Sequence, residues 1–169
     1  EVMIDLLMAK YPVVMIDLSQ SPQELRNVVI ARANQINIVS SQGLVSLRQG
    51  RSLAQEIKDL RGGQSDGIEL IINMQGMPGG MDVPKKDVEA AMDLKVSGSI
   101  PYDAKIFQGS ESASRKVIDD KDGAALVKSK LLPIVQKVIA ADYAADDNDV
   151  KSTKGGSLIG GLIQKLSSK

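Results

Sequence analysis

The chain has 169 residues, 43% hydrophobic and 25% charged, with a formal net charge of zero, which fits one soluble globular domain. It contains no Cys and no His, which excludes disulfides, thiol nucleophiles, histidine-based triads and Cys/His zinc sites. Only 2% is aromatic, so the core is aliphatic, and a neutral chain with few rings to stack on bases is not expected to bind nucleic acid.

No apolar run reaches the roughly 20 residues that span a bilayer, and no signal peptide opens the chain, so a cytoplasmic location is expected. The first residue is Glu1 rather than Met, which reads as a fragment or a trimmed chain. In the opening segment, Val2, Met3, Leu6 and Leu7 share one helical face. Tyr11-Pro12 should end that helix, because proline disfavours α conformation in the residue before it. The run 13–18, VVMIDL, is apolar up to Asp17 and reads as a strand buried on both faces, as in a parallel sheet. Ser21 as cap, Pro22 at the first helical position and Glu24 in a capping box predict a helix to about Asn34.

A second strand is expected over 36–41, INIVSS, followed by a long amphipathic helix over 43–61 that Gly62-Gly63 closes. The third strand is 68–74, IELIINM. After a Gly/Pro/Met loop, KKDVEAAMD predicts a short helix, and 95–101, KVSGSIP, a fourth strand with small residues on one face. Helical segments are expected at 103–111 and 122–141, the second kinked or divided by Pro133. Strands alternating with helices make this an α/β fold, an open and mostly parallel sheet flanked by helices. Residues 1–141 are read as one domain, 142–156 as a polar linker and 157–169 as a short basic amphipathic tail.

In such sheets ligands bind beyond the carboxyl ends of the strands. Those ends carry Asp17, Ser40-Ser41, Asn73 and Pro101-Tyr102-Asp103. An acid after an apolar strand, as Asp17 is, suits a Walker-B-like residue holding Mg²⁺ directly or through water, though taken alone the pattern more often marks an ordinary strand-to-helix turn. The Asn73 amide suits either a base edge or a turn.

Taken together, YPVVMIDLS, INIVSS with GLVSLRQGRSL, IELIINM and VSGSIPYDAKIF occur in an order that resembles the second half of the MinD/ParA group of deviant-Walker ATPases. The segments LVSLRQGRSLAQEIKDLR and IPYDAKIF are most similar to TadZ/CpaE-type pilus-assembly proteins, and the resemblance covers about residues 1–140. It implies a P-loop NTPase-like fold whose phosphate-loop half is missing. It implies ATP and Mg²⁺ as ligands of a weakly hydrolysing parent protein, and a nucleotide-dependent homodimer that recruits pilus-assembly partners. By the same resemblance Asp17 is the Mg²⁺-associated acid acting through water, Asn73 reads the adenine, and Pro101, Tyr102 and Asp103 pack around the nucleoside. The family often has Asp-x-Pro where this chain has Asp17-Leu18-Ser19, which puts the switch geometry outside the common pattern.

The glycine-rich segment KGGSLIGG at 154–161 is not the missing phosphate loop. Gly161-Leu162 stands where Lys-Ser/Thr is needed, and ADDNDVKST before it cannot form a core strand. No other segment matches, so the chain alone is not expected to hydrolyse ATP. In the tail, Leu158, Ile159, Leu162, Ile163 and Leu166 share a helical face flanked by Lys151, Lys154, Lys165 and Lys169. That pattern suits peripheral attachment to an anionic inner-membrane surface, or else a frayed terminus. The alternative to the ATP-binding reading is a non-catalytic α/β interaction scaffold or a receiver-type module; a receiver needs an acidic pair after its first strand, and Asp17 stands alone.

Overall fold

Apolar runs of five to eight residues, each followed by a helix, pair side by side when each can bury both faces. In the computed structural model, which describes residues 2–79 and 83–137, three of the four expected runs pair, although the first leaves one face open, with Val39 59% exposed. Strands β1 (Ile36–Ser40), β2 (Ile68–Gln75) and β3 (Val96–Pro101) form a parallel sheet in the order β1-β2-β3. Ile36 pairs with Ile68 and Ser40 with Ile72 on one side of β2; Leu70 pairs with Val96 and Gln75 with Pro101 on the other. The linker 142–156 and tail 157–169 lie outside the described residues.

The fourth run is a correction. Residues 13–18 join no ladder, and Met15 is 83% exposed with Val13 and Ile16 also open to solvent. Only Leu18 packs against the core. A strand exists only where a neighbour takes its backbone groups, and among the described residues none pairs with this run.

Helix α1 (Val2–Lys10) also departs from expectation: Ile4 is buried, whereas Val2, Met3 and Leu6 face outward. An ion pair from Arg32 to Asp5 ties it to α2 (Gln23–Arg32). The expected capping box of α2 does not form. Pro22 occupies the cap position with extended ψ of 150°, and no side chain caps the helix; the Ser21 N–H turns back to Leu18 O at 3.2 Å.

Helix α3 (Leu44–Leu60) crosses from β1 to β2 and α4 (Lys85–Met92) from β2 to β3. Their apolar stripes, with Leu47, Ala54 and Ile57 on one and Val88 and Met92 on the other, cover Ile38, Leu70, Ile72 and Val96 of the sheet. Leu70 and Val88 are wholly buried, each contributing about 1.5–3 kcal/mol of apolar burial. As expected, glycine ends α3: Gly62 and Gly63 adopt φ of 68° and 85°, and the Gly63 N–H reaches Lys58 O at 2.8 Å.

The opposite face of β2–β3 is covered by the C-terminal helical run. Following α5 (Ala104–Ser112) and a 3₁₀ turn, α6 (Lys121–Leu126) passes into a π turn at Val127–Leu131, and helix resumes over 132–137. The expected division at Pro133 takes the form of one π turn just ahead of it, with helix on both sides.

Candidate functional site

Parallel pairing brings all three carboxyl ends to one edge, and a backbone bond fixes two of them together. The Tyr102 N–H donates to Gln75 O at 2.7 Å, so the Pro101–Asp103 segment is locked beside the end of β2. Asn73 lies two residues before Gln75, where the register slips between Ile72 and Gln75. This is a bulge, with Met74 at φ 56° as the extra residue. The Met74 N–H, lost to the ladder, is taken by Asn73 Oδ1 at 2.9 Å. No protein group accepts from Asn73 Nδ2 among the described residues, so that half of the amide keeps its donors.

Asp103 has local work: its carboxylate accepts the Ile106 N–H at 3.0 Å and caps α5. Tyr102 and Pro101 are half-buried at the strand end. Asp17 stands differently. With residues 13–18 outside the sheet, it ends no strand, and no hydrogen bond or ion pair joins it to Asn73 or Tyr102. Its Oδ1 accepts the Ser19 N–H at 2.9 Å. That backbone bond, with a second from the Ser19 side chain, lowers its pKa below the ordinary 3.8, so the exposed carboxylate is ionised at neutral pH. Asn73 and the 101–103 segment are thus brought together; Asp17 is not brought to them by any contact.

On the other face of β2 lies a cleft of about 190 Å³, lined by Gln42, Ile72, Gln75, Lys85, Ser97 and Ser99 among others. Strand alternation puts Asn73 on the Ile71 face, opposite Ile72, so cleft and amide are separate. Gln42 is only 7% exposed; its Nε2 donates to Val83 O at 2.7 Å, and its Oε1 is buried without a partner. Sequence reasoning passed over Gln42 and Lys85. Gln42's position directly after the strand-end pair Ser40-Ser41 was the available signal. Among the described residues no cluster of acids could hold a metal ion.

No family model matches the chain, and no curated protein matches it. Two solved structures are similar in fold. One is a ParA family ATPase from Chlorobium tepidum TLS, at 19% identity over 68% of this chain and 43% of that one, with a TM-score of 0.49. The other is the MinD cell division protein of Aquifex aeolicus, at 14% identity over 76% of this chain and 50% of that one, with a TM-score of 0.47. The chain thus spans half or less of the length of either structure.

Proposed function

We propose that this chain is the nucleoside-recognising, C-terminal part of a MinD/ParA-like ATP-binding protein that positions or assembles a type IVb (Flp/Tad) pilus machine. The observation that supports the reading is the Tyr102 N–H bond to Gln75 O, which ties the Pro101–Asp103 segment to the end of β2 two residues beyond Asn73, whose amide N–H₂ has no acceptor among the described residues. These residues suit the nucleoside end of the ligand: Asn73 would donate to the base, and Pro101 and Tyr102 would flank it. The phosphate end is not provided for, because no glycine-rich loop with Lys-Ser/Thr exists in the sequence. Asp17 is ionised and exposed, as an acid holding Mg²⁺ through water must be. The pilus role rests on the sequence resemblance, and nucleotide-dependent pairing with a second copy belongs to the same reading.

Titration with adenosine and with ATP·Mg²⁺, followed by backbone amide resonances, tests it. Adenosine should perturb Asn73, Met74 and Tyr102, and Asn73→Ala should abolish this. ATP should bind weakly and show no turnover. Tight ATP binding by the chain as it stands, or adenosine shifts confined to the opposite sheet face, contradicts the reading.

The tail supplies a second proposed contact, with an anionic membrane surface. Its five large apolar residues would bring apolar burial, and each of the four lysines flanking them, Lys151 and Lys154 in the linker and Lys165 and Lys169 in the tail, about 1 kcal/mol close to such a surface. The chain should co-sediment with anionic vesicles better than with neutral ones and release at high salt, and a version ending at Asp149 should not bind. Equal sedimentation of the two versions removes the membrane contact. Among the described residues, no helix is long and apolar enough to cross a membrane.

A further inference from the structure

The C-terminal helical run meets the sheet through a notch rather than a broad apolar layer. At Gly98 a Cβ would overlap Ile134 Cδ1 and lie 2.7 Å from its Cγ1, so Ile134 enters the sheet surface where β3 carries no side chain. Ile134 is 6% exposed, and Ile71, the register partner of Gly98, is 7% exposed. Neither belongs to the main core cluster on the opposite face. The polar tie is loose: Lys137 Nζ stands 3.8 Å from Glu69 Oε1, while Glu69 Oε2 is buried with no hydrogen-bond partner among the described residues. An unsatisfied buried carboxylate oxygen opposes closure, because opening would return it to water.

Immediately before this latch the backbone is weakened. Leu132 N–H bonds to Val127 O across the π turn, and Pro133 brings no N–H at all, so one carbonyl of the turn loses its helical acceptor role. We infer that residues 132–137 form a strap that unlatches from the sheet at the Ile134–Gly98 notch, hinging on the π turn Val127–Leu131 and Pro133. Its opening exposes Glu69 and Ile71 while the core under α3 and α4 stays closed. The inference is independent of the nucleotide reading.

The chain has no cysteine, so single thiols can report the opening. Ile71→Cys lies on the strap face; Leu70→Cys lies under α3 and α4. In the full chain, Ile71→Cys should react with a thiol reagent at least about tenfold faster than its own global unfolding rate and equilibrium allow, because local opening has a lower free energy than global unfolding. Leu70→Cys should react only at its global rate. Adding Pro133→Ala to Ile71→Cys restores an N–H at the hinge and should slow labelling, whereas adding Gly98→Ala fills the notch and should speed it. Hydrogen exchange in the unsubstituted chain provides a readout free of destabilising substitutions. Amides of Leu132 and of 134–137 should exchange through an opening with much lower denaturant dependence than those of Leu70–Ile72. The strap is overturned if Ile71→Cys labels only at its global rate, if Pro133→Ala leaves the labelling unchanged, or if both sets of amides share one denaturant dependence.

Discussion

Asp103 shows how a residue singled out for a ligand can be held by a nearer task. Its carboxylate meets the Ile106 N–H at the start of α5, and a cap of this kind stabilises by about 1 kcal/mol. Asp103→Ala should lower stability by about that amount and Asp103→Asn by only a few tenths, read as a shift of the urea midpoint. If asparagine is as damaging as alanine, the capping bond is not what the position contributes. Asn73 was legible as a strand-end amide, but its geometry was not. The bulge that sets it depends on Met74 at positive φ, and methionine is not a residue that announces a left-handed turn. Gln42 was missed for a related reason: a glutamine after two serines reads as loop, and only packing buries it.

At the scale of elements, what the sequence made legible was whatever carried its own periodicity or punctuation. The runs at 36–40, 68–75 and 96–101 became strands because each finds a parallel neighbour, and α3 ended at Gly62-Gly63 because glycine relieves the left-handed conformation there. The run 13–18 has the same composition but no partner among the described residues, so hydrophobicity alone does not make it a strand. Pro133 was legible as a point where the helix is kinked or divided, and the division takes the form of a π turn just ahead of it. The anchorage of Ile134 against Gly98 was not legible, because position in the sheet is contained in no local window.

At the scale of the whole molecule, the apolar surface is unevenly distributed. One face of the sheet is filled by α3 and α4, whereas Val2, Met3 and Leu6 of α1 are each about two-thirds or more exposed, and Met15 is 83% exposed. Single exposed apolar residues are ordinary, but several on adjacent segments make a surface that takes up hydrophobic probes and lowers solubility. Because these side chains face water, replacing them removes almost no packing. Leu6→Lys with Met15→Lys should therefore change unfolding stability by no more than about 0.5 kcal/mol per site, lower the fluorescence of a bound hydrophobic dye, and raise solubility. Ile4→Lys places a charge where the side chain is 6% exposed and should instead destabilise the chain, by several kcal/mol if α1 stays docked and the ammonium stays buried. The contrast between the two variants is the measurement. A large stability loss from the Leu6/Met15 pair would mean that these residues are packed in solution, and that the outward face of α1 and the exposed run beside it are covered.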